Sequence, residues 1–278
     1  MNKTIRALAA AATLISCAIP ALAVDWNHDP GSAIGPGFWG TLPAGGILST
    51  FATCGSNIRT APALGFVEVG LKQSPINIVQ ARTVPSTLPP LLPLYGNTPF
   101  EVENTGHVVE VPYAAGNRLF VGVDAYELVQ FHFHTRSEHQ IDGTATDMEM
   151  HLVHQNSLGD LAVLGVMLRV GQPANRLLDE IVANAPFTAG AAALEGRTIN
   201  ARNLLPFSLA YYTYSGSLTT PSCAEGVRWL LLKNPVNVSQ ATVDRLQQIV
   251  SLFPGYAGYR FNNRPVRPLN GRPVLSTR

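Results

Sequence analysis

The stretch 129–134 reads VQFHFH and alternates between polar and aromatic side chains from residue 130 onward. Successive side chains of a β-strand point to opposite faces of the sheet. The alternation therefore predicts a strand that carries Gln130, His132 and His134 on one face and two phenylalanines on the other. Such a strand has one face for a core and one face for chemistry.

A second stretch, EMHLVH at 149–154, has the same two-residue period. On a strand, Glu149, His151 and Val153 would share one face, and His154 would lie on the opposite one. We therefore expect a second strand that carries His151 on the same face as Glu149.

Two histidines on one strand and a third on a neighbouring strand can converge on a metal ion. Three neutral imidazoles leave the fourth tetrahedral position open, which is the pattern of catalytic rather than structural zinc. Gln130 and Glu149 each lie two residues from a histidine on the same face, where they could hold the ring N–H that does not bind metal. The alternative is that His132, His134 and His151 are ordinary core or surface residues.

The other histidines receive different interpretations. Five of the seven lie between residues 132 and 154. His154 is predicted not to be a ligand because it lies on the wrong face. His139 is expected in the loop after the first strand, with its role left open, and His28 is expected at the surface.

Outside these stretches, short alternating or β-branched runs dominate from residue 76 onward and predict many strands. Helices are predicted after Pro173 and after Ser239, the latter a natural N-cap. The Pro-, Arg- and Asn-rich segment 254–278 has no helix or strand pattern, so only tertiary contacts can fix its conformation. The expected fold is mainly β with a few short surface helices, in one domain. The predicted strands are 76–79, 100–104, 107–112, 118–123, 127–134, 148–155, 161–170, 208–214 and 227–233.

The composition excludes several classes of protein. Charged residues make up 13% of the 278 residues and the formal net charge is +1, with no basic run that would suit nucleic acid. Hydrophobic residues reach 46%, but apart from the N-terminus no run approaches the ~20 apolar residues of a membrane span.

Residues 1–23 have the pattern of a secretory signal peptide. Lys3 and Arg6 precede an apolar stretch that ends in Ala-Leu-Ala at 21–23. The mature domain would then be 24–278, in the periplasm or outside the cell. An alternative is a lipoprotein signal in which Cys17 becomes the lipidated first residue.

The cysteine count fits an exported protein. Once Cys17 is removed, Cys54 and Cys223 are left, and a pair of cysteines outside the cytosol is most simply a disulfide. Two buried free thiols are the alternative.

Several separated motifs occur together in one order: QSPINI at 73–78, NTGH at 104–107, QFHFH at 130–134, SEH at 137–139, EMHLVH at 149–154 and YSGSLTTP at 214–221. In this combination the chain resembles an α-class carbonic anhydrase of the bacterial, exported kind, from about residue 25 to its end. The resemblance implies one domain built on a large, twisted, mostly antiparallel sheet.

The resemblance also implies roles for individual residues. His132, His134 and His151 resemble the zinc ligands of the family, and Cys54 and Cys223 resemble its bacterial disulfide. Thr219 resembles the threonine that orients the zinc-bound hydroxide and donates a hydrogen bond to a glutamate, here Glu138. The proton-shuttle histidine corresponds to His107. The substrate pocket corresponds to Val153, Val163, Leu218, Thr220, Val227 and Trp229.

The implied activity is the reversible, zinc-dependent hydration of carbon dioxide to bicarbonate, with weak ester hydrolysis as a side activity. The expected partners are these small molecules, with no nucleic acid, for a chain that is a monomer or a homodimer. An alternative is a carbonic-anhydrase-like binding module at the cell surface that has no catalytic activity.

The chain departs from the family pattern at several positions. His28 stands where a tyrosine is usual, Glu110 where an amide is common and Arg136 where a proline is common. Ser222 replaces the second proline of a turn that tends to contain a cis peptide, so a trans or strained bond is expected there. The segment between Cys54 and Gln73 is long enough for an extra loop or hairpin.

Overall fold

The computed structural model describes residues 26–42, 52–55, 58–60 and 67–278. The predicted signal peptide and the alternative lipidation site at Cys17 lie outside the described residues. Over the described ranges the chain is mainly β, as predicted. Its strands are β1 Ile58–Thr60, β2 Val67–Val69, β3 Asn77–Ile78, β4 Val84–Ser86, β5 Leu91–Leu94, β6 Thr98–Asn104, β7 Val109–Pro112, β8 Arg118–Val121, β9 Asp124–His134, β10 Gln140–Ile141, β11 Met148–Gln155, β12 Leu161–Val170, β13 Gly190–Ile199, β14 Tyr211–Ser217, β15 Glu225–Leu232, β16 Val236–Val238 and β17 Leu275–Thr277.

Thirteen of the described strands form one sheet, whose main path runs β13-β6-β7-β9-β11-β12-β15-β14-β17-β4. Most neighbours are antiparallel, and the exceptions are the parallel pairs of β12 with β15, β12 with β16 and β17 with β4. The expectation of a large, mostly antiparallel sheet is therefore confirmed. The two histidine strands, β9 and β11, are direct neighbours near its centre.

Both predicted helices are present, α1 at Arg176–Asn184 and α2 at Gln240–Ser251. The Ser239 side chain accepts a hydrogen bond from the Thr242 amide, which confirms it as the N-cap of α2. Asn175 caps α1 by accepting from the amides of Leu177 and Leu178. Both helices bury their apolar faces in the larger hydrophobic cluster.

The sheet separates two apolar clusters. The larger one contains Phe131, Phe133, Met150 and Leu152 from the histidine strands, together with the helices. A smaller cluster, around Trp229, packs on the other side. The two-residue period therefore directs aromatic and aliphatic residues to the main core and leaves the histidines on the opposite face.

The runs predicted as strands all overlap strands of the structure. The run 76–79 contains β3, which pairs with β10 in a separate two-stranded sheet, and the others lie in the large sheet. Strands such as β5 and β13 were not predicted. Pro93 interrupts β5, and β13 begins with glycine and three alanines. These residue types have low β propensity, so tertiary pairing with β8 and β6 decides their conformation.

The N-terminal part is joined to the sheet by a disulfide between Cys54 and Cys223. An extra loop or hairpin was expected between Cys54 and Gln73, and the structure has the antiparallel pair β1 and β2 there. The Pro221–Ser222 peptide, for which a trans or strained bond was expected, is cis. Among the described residues, no helix is long and apolar enough to cross a membrane.

Candidate metal centre

The register between β9 and β11 brings the three predicted ligand histidines together. His132 lies opposite His151, and His134 lies opposite Glu149. The ring centroids are 5.0 Å apart for His132 and His134, 5.3 Å for His132 and His151, and 4.6 Å for His134 and His151. One ring nitrogen from each histidine lies within 4.8 Å of the others.

The other nitrogen of each ring is held by a hydrogen bond to an oxygen. His132 Nδ1 lies 2.8 Å from Gln130 Oε1, and His151 Nε2 lies 2.8 Å from Glu149 Oε1. His134 Nδ1 lies 2.8 Å from the Asn262 carbonyl oxygen. These bonds leave Nε2 of His132, Nε2 of His134 and Nδ1 of His151 for a metal ion.

The electrostatics of the cluster suit a metal site. Burial, reinforced by the neighbouring His134 and His151, lowers the pKa of His132 well below its ordinary value. Burial also lowers the pKa of His134, although Glu138 opposes this shift. The rings of His132 and His134 are therefore neutral at neutral pH, which is the form that binds a metal. His134 Nε2 is also buried with no hydrogen-bond partner among the described residues, so the donor set fits a cation.

The Glu149 carboxylate forms four hydrogen bonds that fix the position of this cluster. Its Oε2 accepts from the amides of Glu138 and His139, both at 2.8 Å, and its Oε1 is 2.7 Å from His139 Nδ1 and 2.8 Å from His151 Nε2. Burial opposes ionisation of the carboxyl, but His139 and His151 outweigh it and hold the pKa of Glu149 well below its usual value. A carboxylate at this position keeps the His151 ring fixed.

A small cavity opens beside two of the imidazoles. Its lining combines apolar residues with two threonines: His132, His151, Val153, Val163, Leu218, Thr219, Thr220 and Trp229. Of the residues predicted for the substrate pocket, Val227 lies outside this lining. It is buried in the smaller apolar cluster with Val163 and Trp229, because it lies nearer the start of β15.

His107 lies just before β7, after the turn at Gly106 (φ +87°). Three residues further along, Glu110 pairs with His132 across β7 and β9. The half-buried His107 ring stacks on Trp26, with centroids 4.0 Å apart and planes within 8°. Burial and the facing Glu103 raise the pKa of Glu110.

Comparison with known proteins agrees with this arrangement. Residues 66–278 match the sequence model of the family described as eukaryotic-type carbonic anhydrase. The chain belongs to the eukaryotic-type, or α-class, carbonic anhydrase family. Members of this family interconvert carbon dioxide and bicarbonate, and this chain is an enzyme of that activity.

Individual relatives cover nearly all of the chain. It is 36% identical over 256 residues to a carbonic anhydrase of Nostoc sp., covering 91% of this chain and 86% of that protein. A carbonic anhydrase of Neisseria gonorrhoeae is also 36% identical, over 95% of both chains. Among solved structures, the α-carbonic anhydrase of Thermovibrio ammonificans matches with a TM-score of 0.77 and 34% identity, over 91% of this chain and 99% of that one.

One hydrogen bond implied by the resemblance to carbonic anhydrases is not formed in this structure. Glu138 Oε1 accepts from the Arg264 amide at 2.8 Å rather than from Thr219. Glu138 Oε2 is buried, has no hydrogen-bond partner among the described residues and lies 3.9 Å from His151 Nδ1. The carboxylate therefore lies toward the imidazoles, with one oxygen still available as an acceptor.

Two site residues were missed by the sequence analysis, and both belong to the C-terminal segment. Buried Asn262 supplies the carbonyl that holds His134, and its side chain bonds to the backbone of Thr135 and Phe133. Arg264 supplies the amide that binds Glu138. No sequence signal could have identified them, because the groups that act on the site are backbone groups, which every residue carries.

The remaining histidines near the carbonic anhydrase site are all buried. His139, whose role was left open, links Glu149 to the Tyr214 hydroxyl, which lies 2.7 Å from its Nε2. His154 lies on the opposite face of β11, where its Nε2 is 2.7 Å from the Tyr95 hydroxyl.

The prediction of a surface position for His28 is wrong. Its side chain is fully buried, because the ring packs edge-on against Trp26 and Trp39 and Nδ1 forms a hydrogen bond with the Tyr256 hydroxyl. Nothing in the local sequence indicates this burial, since Tyr256 is 228 residues away along the chain.

Proposed function

We propose that His132, His134 and His151 bind one zinc ion and that the enzyme hydrates carbon dioxide at this centre. The observation that carries the proposal is that the two nitrogens of each ring have different tasks. Each imidazole has one nitrogen bonded to an oxygen of the protein and the other within 4.8 Å of its two counterparts. Three neutral imidazoles are the donor set of catalytic zinc. A bound zinc ion supplies hydroxide near neutral pH, a property for which carbonic anhydrases are the reference case.

Thr219 and Glu138 orient the reacting groups in this proposal. Thr219 lines the cavity beside His132 and His151, where its hydroxyl oxygen can accept a hydrogen bond from the attacking oxygen. Glu138 Oε2, which is buried and has no hydrogen-bond partner among the described residues, is the acceptor that the Thr219 hydroxyl would use once it turns toward it in the active enzyme. Because a carboxylate can only accept, this pairing fixes the direction of the hydroxyl and turns a lone pair of the attacking oxygen toward the substrate carbon.

The apolar part of the cavity is the proposed substrate site. Carbon dioxide has no net charge or dipole, so Val153, Val163, Leu218 and Trp229 can hold it without competing hydrogen bonds. Thr220 provides the polar edge of the same cavity. Val227 supports this wall from the cluster behind it.

His107 is the proposed proton shuttle. Each hydration releases a proton that must reach the buffer, and imidazole is the side chain that most readily gains and loses a proton near neutral pH. Its stack on Trp26 and its place before β7, the strand that pairs with β9, support this role.

We also propose that the enzyme is exported after removal of residues 1–23, which leaves a catalytic domain of 24–278 in the periplasm or outside the cell. The disulfide between Cys54 and Cys223 supports an oxidising compartment. The intact mass of the mature protein from its native host tests this proposal. A free N-terminus at Val24 is expected, whereas a lipidated Cys17 would contradict it.

Replacement of one ligand tests the zinc centre. The wild-type enzyme is expected to contain about one zinc ion per chain, and His132→Ala should lose both the metal and at least ~1000-fold of the hydration rate. Metal analysis and stopped-flow hydration measure these effects. His154→Phe, which changes a buried histidine on the opposite face of β11, is the matched control and should keep zinc.

Two outcomes would overturn the proposal: wild-type enzyme that binds no zinc, or full hydration by the His132→Ala variant. Zinc bound without any hydration would favour the alternative of a binding module.

A further inference from the structure

A row of polar residues crosses the sheet and includes two of the metal-binding histidines. Glu103 of β6 lies opposite Glu110 of β7, which in turn lies opposite His132 of β9. His132 lies opposite His151 of β11. Neighbouring strands are about 5 Å apart. Glu110 is therefore one strand away from the nearest metal-binding histidine, and Glu103 is two strands away.

The burial pattern shows that both glutamates point away from the main core. The two neighbours of Glu110 on β7 are valines that are fully buried in the larger apolar cluster, whereas Glu110 is half-buried. Val102, beside the half-buried Glu103 on β6, is also fully buried in that cluster. Side chains alternate between the two faces of a strand, so both carboxylates lie on the same face of the sheet as His132.

The negative charge of these carboxylates is not paired with a cation. Within the described ranges, neither Glu103 nor Glu110 takes part in an ion pair. Like charges that lie directly opposite each other on neighbouring strands repel, and burial together with Glu103 raises the pKa of Glu110. Above that pKa, Glu110 places a fixed negative charge one strand from the metal-binding histidines.

A negative charge at this position acts differently on the two carbon compounds of the reaction. Carbon dioxide has no charge, so the carboxylate neither attracts nor repels it, whereas bicarbonate is an anion. The screening length of water with 0.1 M salt is about 10 Å, which is longer than the spacing of one strand. Glu110 therefore repels an anion at the metal centre even in a cleft that is open to water.

We propose that Glu110 is a specificity-determining residue, whose carboxylate weakens the binding of small anions at the metal centre and does not affect uncharged carbon dioxide. The proposal rests on the proposed function. The anions concerned are the product bicarbonate and inorganic anions of similar size. Glu110 touches neither of them in this scheme, because it acts through space by its charge.

Two substitutions in the zinc-loaded, full-length enzyme separate the charge of Glu110 from its shape. Glu110→Gln keeps the shape and removes the charge, and Glu110→Asp keeps the charge on a shorter side chain. Isothermal titration calorimetry with thiocyanate at about pH 8, where a partly exposed carboxyl is ionised, measures anion binding directly. At low salt, the dissociation constant of thiocyanate should fall about fivefold in Glu110→Gln and stay within about twofold of wild type in Glu110→Asp.

The salt dependence and the product provide further readouts. In about 0.5 M salt, the difference between wild type and Glu110→Gln should shrink to less than about twofold, because the repulsion is screened. The inhibition constant of bicarbonate in carbon dioxide hydration should change in the same direction as the dissociation constant of thiocyanate.

The other glutamates of β6 test the dependence on distance. Glu103→Gln removes a charge that lies one strand farther away, so the dissociation constant of thiocyanate should fall by only about twofold. Glu101→Gln is the matched control: it removes an exposed carboxylate that lies opposite Ala193, outside the row that contains His132, and it should leave the dissociation constant unchanged.

Three outcomes would overturn the proposal. If the dissociation constant of thiocyanate does not fall in Glu110→Gln, the charge has no effect on anions. If Glu110→Asp binds thiocyanate as tightly as Glu110→Gln, or if the difference persists in high salt, the shape of the side chain decides. An equal effect of Glu101→Gln would mean that total surface charge decides. Failure of the proposed function is distinguishable, because the wild-type enzyme itself would then lack zinc or hydration.

Discussion

Two regions of the molecule build the metal centre in different ways. The strand region, β9 and β11, contributes the three imidazoles and the side chains of Gln130 and Glu149, all fixed by strand register. The loop region comprises the turn 218–224 and the C-terminal segment 254–278. It contributes Thr219 and two backbone groups, the Asn262 carbonyl and the Arg264 amide.

The difference between the regions suggests a division of tasks. The strand region holds the metal through side chains that repeat every second residue. The loop region positions the groups that act on the nucleophile and completes the support of His134 and Glu138. Variants that separate metal binding from turnover test whether this division is real.

The largest effect is expected in the strand region, at Glu149. Removal of its carboxylate in Glu149→Ala leaves four donors in a buried site: two amides and the rings of His139 and His151. We expect the free energy of unfolding to fall by about 3–5 kcal/mol and zinc affinity to fall about 100-fold. Urea unfolding and competition with a zinc chelator measure both.

The control for this variant is Glu127→Ala, a half-buried residue on the same strand pair whose carboxylate accepts from one amide. It should change the free energy of unfolding by less than about 1 kcal/mol. Equal losses of unfolding free energy in the two variants would show that the burial of Glu149 does not add to its contribution to stability.

The second effect concerns the loop region, through the disulfide. Cys223 lies four residues after Thr219, and the Cys54 carbonyl accepts from the Arg264 guanidinium at 2.9 Å. The double variant Cys54→Ser, Cys223→Ser should lose about 3 kcal/mol of stability. Its turnover should fall because Thr219 is held less firmly, yet it should keep its zinc. Simultaneous loss of zinc, measured by metal analysis, would contradict the division between the regions.

The two regions also differ in how well the sequence predicts them. The positions of His132, His134 and His151 follow from a period of two residues, because each strand buries one face and exposes the other. That period also predicts which side chains hydrogen-bond the second ring nitrogen of His132 and of His151, since Gln130 and Glu149 lie two residues away on the same face. The sheet was predictable for the same reason.

The loop region has no period, and its contributions are made by backbone atoms. The carbonyl that binds His134 belongs to a residue 128 positions away in sequence, and any residue type would supply such a carbonyl. The surface position predicted for His28 was wrong for a related reason. A single polar side chain in a Gly- and Pro-rich segment is ordinarily exposed, and the packing of two tryptophans and Tyr256 buries this one.

A smaller effect is expected at Asn262. Asn262→Ala keeps the carbonyl that holds His134 but removes the side chain that bonds to the Thr135 amide at 2.8 Å and the Phe133 carbonyl at 3.1 Å. We expect a loss of about 2 kcal/mol in the free energy of unfolding and less than about a tenfold change in zinc affinity. Asn263→Ala, at the half-buried neighbouring position, should have little effect on either. A loss of zinc as large as that of Glu149→Ala would mean that the loop region also holds the metal.

The smallest effect on stability is expected at Gln130, in the strand region. Its side chain makes one bond to the site, with His132 Nδ1 at 2.8 Å, and both residues are only half-buried. Water can replace a half-buried hydrogen bond, so Gln130→Ala should cost less than about 1 kcal/mol of stability while zinc affinity falls about tenfold. Chelator competition should show no change for Gln155→Ala, an exposed glutamine on β11. The contrary result would be that Gln130→Ala lowers turnover and leaves zinc affinity unchanged. In that case a side chain of the strand region acts on the nucleophile. The two regions would then have to be defined by distance from the cavity and not by secondary structure.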